Sequence, residues 1–180
     1  MSISSTLALK ECQLVPLSVN HLDTVLSWRN ADSIRAVMFS DHVITSDEHQ
    51  RWFASLKNNV RCDYSLFLYR SIPAGLSCFT EIDPKGGTAE WGFYTDPTQA
   101  AKGHGTALGI LSMKYGFGKL NLSHIYTYTF AFNQRALHLQ EKLGFVRIPG
   151  VARRAPKSGQ YYDVYKSQIS KSQWVGGRDQ

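Results

Sequence analysis

A glycine-containing loop, Ala100–Leu108 (AAKGHGTAL), lies between a predicted strand that ends at Thr95 and a segment with helical periodicity. Successive backbone amides at the start of a helix form an anion-binding site, and glycine lets the backbone approach a phosphate closely. The spacing matches neither the dinucleotide fingerprint nor the Walker loop. The loop therefore indicates a pyrophosphate site of another kind, although two glycines before a helix also occur in ordinary turns.

A second motif, Asn133–Phe145 (NQRALHLQEKLGF), follows further along the chain and reads as a helix that ends at a glycine. Together the two stretches resemble the coenzyme-A-binding core of the GNAT superfamily of acetyltransferases. In that core a Q/R-x-x-G-x-G/A loop precedes an N-x-x-A-x-x-x-Y-x-x-x-G-F helix. The sequence departs from the pattern twice, because Ala100 replaces Gln or Arg and Gln140 replaces Tyr.

The GNAT resemblance implies an α/β (α+β) fold, with a splayed, mixed, mostly antiparallel sheet flanked by helices. It also implies acetyl-CoA as co-substrate, no metal, and direct in-line transfer to a primary amine. The coenzyme would lie in the gap between the strands at 90–95 and 125–130. The residues implied to contact it are Phe93, Tyr94, Thr95, Lys102, Gly103, His104, Gly105, Thr106, Asn133 and Arg135.

Alternation and helical periodicity predict a mixed order of elements within a single domain, 1–180. Ser18 is the expected N-cap of the first helix, and Ser46 opens the third helix with His49 at capping distance. Arg153, Arg154 and Lys157 read as a basic loop, and residues 170–180 as a flexible polar tail. The predicted helices are 21–29, 33–38, one from 46, 105–119 and 133–143, and the strands are 7–17, 64–69, 74–82, 88–95, 124–130, 145–148 and 161–169.

Two carboxylates are candidates for the catalytic base. Glu90 stands where several members of the resembled superfamily carry a catalytic carboxylate, and a half-buried carboxylate with a raised pKa can relay the ammonium proton through water. Glu81, on the adjacent predicted strand, is the second candidate, and either residue can equally be a solvated strand residue. With Gln140 in place of Tyr, the proton donor to the leaving thiolate is Tyr128, His138 or water, although Tyr128 can also be a packing residue.

A narrower resemblance concerns the acceptor. Residues 26–30 (LSWRN), 34–39 (IRAVMF) and 48–56 (EHQRWFASL) are similar to the N-terminal region of nucleotide-sugar N-acetyltransferases of pseudaminic acid biosynthesis. That family acetylates the 4-amino group of a UDP-linked 4-amino-4,6-dideoxy sugar, in a pathway that leads to flagellin glycosylation. The implied substrate contacts are Arg29 and Arg35 to the diphosphate, Met38, Phe39 and Trp52 to the deoxy sugar, and His49 as a polar contact. The apolar members can equally belong to the core.

Composition restricts the class of protein. The 180 residues are 43% hydrophobic and 19% charged, as in globular proteins, and no apolar run reaches the ~20 residues of a membrane helix. A basic leader is absent, so the sequence predicts a cytoplasmic protein without membrane contact. Three cysteines at irregular spacing indicate free thiols. The net charge of +6 suits an anionic ligand such as a nucleotide diphosphate.

Two other functions remain open at this point, and a third is disfavoured. One is acetylation of a protein N-terminus, such as that of a ribosomal protein, and another is a non-catalytic acetyl-CoA-binding module. Nucleic-acid binding is disfavoured, because the sequence has no basic helix, paired zinc ligands or single-strand-binding motif.

The predicted C-terminal strand would be a free edge, through which a homodimer could form.

Overall fold

One twisted sheet forms the centre of the molecule in the computed structural model, which describes residues 9–174. Its described strands follow the order β1-β2-β3-β4-β5-β8-β6, with β7 also paired to β8. Every neighbouring pair is antiparallel except β4 and β5. The strands are β1 (Cys12–Pro16), β2 (Asp63–Tyr69), β3 (Ile72–Asp83), β4 (Thr88–Thr95), β5 (His124–Phe130), β6 (Val146–Arg147), β7 (Arg153–Lys157) and β8 (Gln160–Ser170).

Between residues 9 and 174, five α-helices accompany the sheet: α1 (Leu22–Asn30), α2 (Asp32–Arg35), α3 (Ser46–Leu56), α4 (His104–Gly118) and α5 (Gln134–Leu143). Helix α4 is apolar on most of its surface, as expected for a helix inside the core. It packs with large side chains of the sheet, among them Phe79, Trp91 and Ile125. The predicted fold class, a mixed and mostly antiparallel sheet flanked by helices, is confirmed.

The parallel pair β4 and β5 separates part-way along its length. The two strands pair only at Thr88 with His124, Ala89 with Ile125, and Glu90 with Tyr126. Beyond this point β4 stays paired with β3 alone, and β5 with β8 alone. The strands therefore form a fork that opens after Glu90, as the GNAT resemblance implied.

Two predicted helix caps are wrong. Thr45, not Ser46, caps α3: its hydroxyl accepts from the Glu48 amide at 3.3 Å, while the Glu48 carboxylate accepts from the Thr45 amide at 2.7 Å. This reciprocal capping box satisfies two donors at once, which a Ser46–His49 pair could not do. Ser18 precedes a 3₁₀ turn and bonds the His21 ring at 3.0 Å, so α1 begins only at Leu22.

The predicted basic loop is a strand. β7 pairs with β8 from Arg153 opposite Val164 to Lys157 opposite Gln160. Pro156 suggested a loop, but a proline is tolerated in a strand that pairs on one side only. The same pairing corrects the expectation of a free C-terminal strand, because β8 lies between β5 and the β6 and β7 strands. The structural basis for a dimer through β8 is therefore lost.

The start of the predicted tail is ordered. The Lys171 amide donates to the Ser123 carbonyl at 2.8 Å, and Trp174 is 5% exposed beside Phe117. The tail prediction is thus wrong for residues 171–174, because burial of an indole anchors them to α4. Residues 175–180, like Leu7 and Ala8 of the predicted first strand, lie outside the described residues. In the described part, no helix is long and apolar enough to cross a membrane.

The Trp174 contact predicts a measurable loss of stability. Trp174→Ala should lower the free energy of unfolding by about 3–5 kcal/mol, because it removes a large buried aromatic group. Denaturant unfolding followed by circular dichroism measures the change. Tyr161→Ala, at a side chain 61% exposed, serves as the control and should change stability far less. Equal effects of the two substitutions would mean that Trp174 does not anchor the chain end.

Candidate active site

A cavity of about 1000 Å³ opens at the fork between β4 and β5. One group of lining residues comes from the end of β4, the loop before α4, and α5. A second group comes from α1, the segment between α2 and α3, and α3 itself. Glu90 and Tyr128 also line the cavity, on the two strands of the fork. The cavity therefore connects the predicted coenzyme residues with the predicted acceptor residues.

Buried polar side chains hold the loop before α4 in place. The Asp96 carboxylate accepts from the Thr98 amide and hydroxyl, both at 2.7 Å, and from the Gln99 amide at 3.1 Å. At the end of the loop Gly103 has φ +102°, a conformation that favours glycine. Local interactions thus set the direction in which the first amides of α4 point.

The amides at the start of α4 are available to a ligand. His104 donates to the Ala101 carbonyl at 3.1 Å, and Ala107 donates to the Gly103 carbonyl at 2.9 Å. Among the described residues, the amides of Gly105 and Thr106 have no acceptor, and both residues line the cavity. Lys102 and Gly103 line it as well. These groups fit the pyrophosphate of acetyl-CoA by charge and donor set.

His104 does not reach the cavity, in contrast to its predicted contact with the coenzyme. Its ring is buried against Phe67 and Tyr69, and burial lowers the pKa of the imidazole. Nδ1 accepts from the Ala101 amide at 3.2 Å, so the neutral ring carries its proton on Nε2. His104 therefore stabilises the loop rather than binding phosphate.

The open edge of β4 supplies backbone groups to the cavity. Phe93, Tyr94 and Thr95 lie beyond the last β4–β5 pair and line the cavity. Their strand is paired only on the β3 side, so an extended chain with amide groups can bond to the other side. The pantetheine arm of coenzyme A is such a chain. The three residues are therefore placed where the sequence expected them.

The start of α5 closes the other side of the fork. Asn133 caps the helix by accepting from the Ala136 amide at 3.3 Å, and both Asn133 and Arg135 line the cavity. One turn from the end of the helix, Gln140 is buried and donates through Nε2 to the Thr129 hydroxyl at 2.8 Å. Its Oε1 is buried without a partner in the described part of the chain.

Glu90 lies at the point where the fork opens, and it lines the cavity. Burial raises the pKa of its carboxyl group, with a smaller upward effect of the Glu81 charge, while Arg153 and Lys166 act in the opposite direction. A carboxylate with a raised pKa is a better proton acceptor at neutral pH. Its position and its environment both fit the predicted base.

Glu81 does not fit this role. Its side chain is 61% exposed, forms an ion pair with Arg61, and is not part of the cavity lining. A break in the β3–β4 register between Thr80 and Asp83, together with φ +50° at Glu81, turns the residue away from the fork. A strand prediction from sequence relies on regular alternation of side chains. It therefore does not reveal a bulge that turns Glu81 outward.

Tyr128, the candidate proton donor, lines the cavity on β5. The guanidinium of Arg153 lies 5.0 Å from its ring centre, and the ammonium of Lys166 lies 5.7 Å from it. His138, the other candidate, lines the cavity edge but has a side chain 80% exposed, and it lies 3.9 Å from Glu141. Tyr128 is thus the better placed of the two.

Aromatic side chains line the acceptor side. The His49 ring stacks on Trp52 at 4.8 Å, and Trp52 meets the edge of Tyr64 at 5.0 Å. His49 is buried, which lowers the pKa of its imidazole, so the ring is neutral at physiological pH. Met38 and Phe39 also line the cavity. Phe39 packs on Phe130 at 4.7 Å, and together these rings give the acceptor side an apolar surface.

The two predicted anion-binding arginines differ in position. Arg29 lines the cavity, and its Nη1 is buried without a partner in the described part of the chain. Burial lowers the pKa of this guanidinium, so a nearby negative charge would stabilise it. Arg35 does not line the cavity, because its guanidinium is used within the protein. It bonds the carbonyls of Asn30 and Asp41 at 3.1 and 3.0 Å and the Asp32 carboxylate at 2.5 Å.

Lys157 is a contributor that sequence reasoning missed. Its buried ammonium donates to the carbonyls of Arg35 at 2.5 Å and Met38 at 2.8 Å, and to the Asp41 carboxylate. The strand β7 thereby holds the segment that carries Met38 and Phe39. No sequence pattern connects Lys157 with Arg35 and Met38, because these residues are far apart in the chain.

Cys78 also lines the cavity, but it is not a nucleophile. Burial raises the pKa of its thiol to about 12, so the thiolate is absent at neutral pH. None of the three cysteines, all within the described residues, forms a disulfide. Within residues 9–174, no group of three or more His, Cys, Asp or Glu side chains could hold a metal ion.

Residues 12–146 match the family described as the acetyltransferase (GNAT) domain. The chain belongs to this family. It is 31% identical over 102 residues to a spermidine N(1)-acetyltransferase of Escherichia coli K12, which is 57% of this chain and 55% of that protein. The chain thus spans about half the length of the curated relatives it matches.

Two solved structures resemble this GNAT fold over most of their length. Spermidine N-acetyltransferase from Vibrio cholerae, in complex with CoA and spermine, superimposes with a TM-score of 0.86 at 24% identity, over 91% of this chain and 98% of that one. The Campylobacter jejuni N-acetyltransferase PseH gives a TM-score of 0.68 at 21% identity, over 89% and 99%. At these identities the similarity shows the shared fold.

The α4 amides can be tested through coenzyme affinity. Gly103→Val should weaken binding of acetyl-CoA at least tenfold, because valine disfavours φ +102° and the first turn of α4 would rotate. Isothermal titration measures the affinity. Gly150→Val, at another positive-φ glycine outside the cavity, controls for backbone strain alone. Unchanged affinity in Gly103→Val would mean that these amides do not hold the pyrophosphate.

Proposed function

We propose that this GNAT protein transfers the acetyl group of acetyl-CoA to the 4-amino group of a UDP-linked 4-amino-4,6-dideoxy sugar. The observation that carries the acceptor assignment is Arg29, whose half-buried guanidinium has a buried Nη1 with no partner in the described part of the chain. A half-buried cation beside aromatic and apolar residues fits a ligand that is negative at one end and apolar at the other.

The proposed roles follow from the positions around the fork. The amides of Gly105 and Thr106 bind the pyrophosphate, and the free edge of β4 orients the extended arm. Bound acetyl-CoA supplies the activated acetyl group. Glu90 accepts the proton of the attacking amine through water, since burial raises the pKa of this carboxyl group.

The charges of the cavity favour an acceptor that carries negative charge. In the described lining, Glu90 and Asp96 are the only acidic residues, and the Asp96 carboxylate already accepts three bonds from its own loop. A polyamine carries several ammonium groups and would leave all but one of them without a carboxylate here. A sugar nucleotide requires one carboxylate at its amine and a cation at its diphosphate. Glu90 and Arg29 supply these two charges.

A polyamine is the second candidate acceptor. It is favoured by the names of the relatives, since the Escherichia coli relative and the Vibrio cholerae structure are spermidine acetyltransferases. If the sugar nucleotide is the acceptor, the product would belong to a pathway such as pseudaminic acid synthesis for flagellin glycosylation.

Thiol release from acetyl-CoA with a panel of amines decides between these acceptors. The panel contains UDP-4-amino sugars of both configurations, spermidine, and a peptide with a free N-terminus. We expect turnover with the sugar nucleotide alone. Turnover with spermidine only would replace the sugar assignment by a polyamine. Coenzyme binding without turnover on any amine would favour a non-catalytic module.

Glu90 predicts a specific dependence of rate on pH. Because its pKa is raised, kcat/KM should fall as the pH drops through a value above the usual 4.5, where the base becomes protonated. Glu90→Gln should remove this acidic limb and reduce kcat by about 10²–10⁴-fold, with coenzyme affinity unchanged. Glu81→Gln, at the exposed ion pair, is the matched control. It should keep the acidic limb and the wild-type kcat, with the limb moved only slightly to lower pH, because the Glu81 charge contributes a minor part of the raised pKa of Glu90. An unaltered rate in Glu90→Gln would exclude Glu90 as the base.

The unpartnered Nη1 of Arg29 predicts that the acceptor carries negative charge. Arg29→Met should raise KM for the UDP-amino sugar about tenfold to a hundredfold, as expected for the loss of a charge-assisted hydrogen bond, with KM for acetyl-CoA unchanged. The exposed Arg51→Met serves as the control. If the acceptor were a polycation, removing this positive charge would instead lower its KM. Steady-state kinetics with each substrate varied in turn separates the two results.

A further inference from the structure

Gln140 and Thr129 form a buried polar pair on the cavity. Gln140 is 2% exposed and Thr129 is 6% exposed, yet both line the cavity at the fork. Their link is a hydrogen bond of 2.8 Å in which Gln140 Nε2 donates to Thr129 Oγ1. Burying a carboxamide and a hydroxyl is costly unless their hydrogen bonds are made. The pair is nevertheless incomplete, because Gln140 Oε1 has no partner in the described part of the chain.

The bond determines where the Thr129 proton can go. Since the hydroxyl oxygen accepts from Gln140, its own proton must be donated elsewhere. Among the described residues, no acceptor receives it. Thr129 lies on β5 beyond the last pair with β4, so its side chain borders the open part of the fork. A free O–H donor is therefore held at the open part of the fork, into which the coenzyme arm is proposed to extend.

We propose that Thr129 donates a hydrogen bond to the sulfur of coenzyme A as the thiolate leaves, and that Gln140 orients the Thr129 hydroxyl for this. Thr129 is then a catalytic residue, and Gln140 is a positioning residue that acts through it. The inference rests on the proposed acetyl transfer, but on its coenzyme part only, and not on the identity of the acceptor.

The atoms, electrons and protons of the acetyl transfer balance without a strong acid. The amine nitrogen forms a bond to the acetyl carbon, the C–S bond breaks, and the sulfur leaves with the electron pair. The proton lost by nitrogen goes to Glu90 through water, while the thiolate later takes a proton from solvent. Thr129 stays neutral throughout and only donates a hydrogen bond. This is sufficient, because a thiol with a pKa near ~8.5 gives a tolerable leaving group.

The test uses the bound product, coenzyme A, and needs no acceptor. Thiolate absorbance followed against pH gives the pKa of the bound thiol. In the wild type it should lie below that of free coenzyme A, and Thr129→Val should raise it by about one to two units, as expected for one bond to a charged group. Thr129→Ser should keep the wild-type value, and Gln140→Met should raise the pKa by less than Thr129→Val.

Thr127→Val is the matched comparison, because Thr127 lies on the same face of β5, is buried, and lines the same cavity. A thiol pKa that is equal in wild type and Thr129→Val would overturn the inference while the coenzyme still binds. A shift in Thr127→Val and not in Thr129→Val would overturn it as well. Failure of the wild type to bind coenzyme A would instead refute the proposed function itself.

A second measurement uses the wild-type protein, so it does not require any variant to fold. Above pH 8.5, the wild type should bind coenzyme A about tenfold or more tightly than desulfo-coenzyme A, because only the former presents a thiolate to the hydroxyl. Equal affinities would overturn the inference. In Thr129→Val this preference should disappear, whereas kcat should fall about tenfold to a hundredfold and KM for the acceptor should stay unchanged.

Discussion

The separation of β4 from β5 after Glu90 is the constraint on which the site depends. Each strand keeps its outer neighbour, so the sheet holds together while two inner edges lose their partners. Backbone groups at such an edge need hydrogen bonds from water or from a ligand. An extended amide chain can supply these bonds and complete the sheet. Binding of such a chain therefore follows from the strand geometry more than from particular side chains.

Glu90 gains its properties from the same geometry. As the last β4 residue paired with β5, it lies in the partly closed base of the fork, where burial raises the pKa of its carboxyl group. Further out, β4 and β5 are no longer paired with each other. In the proposed mode of coenzyme binding, Glu90 would therefore be the proton acceptor next to the acyl group.

Sequence reasoning predicted best what local rules determine. The bounds of β4 and β5 and the loop before α4 follow from short-range patterns, and the structure agrees with them. Residues whose roles depend on distant neighbours were predicted less well. Glu81 is turned outward by a bulge. Arg35, His104 and Lys157 each use their polar atoms inside the protein, which a sequence pattern does not show. The hydrogen bond between Gln140 and Thr129 was not predicted, because the two residues are on different elements.

The two sides of the cavity are built by different means, and this bears on acceptor choice within one fold. On the proposed coenzyme side, the cavity offers backbone groups of β4 and α4, which many sequences can provide. The acceptor side uses side chains from α1, α3 and the segment that Lys157 fixes through the Met38 carbonyl. Met38 and Phe39 lie outside the strands of the sheet, so substitutions at these positions change the acceptor side without removing a strand pair. A high structural similarity to a polyamine acetyltransferase, at 24% identity, is thus compatible with another acceptor, and the charges around Arg29 and Glu90 are the better guide to its chemistry.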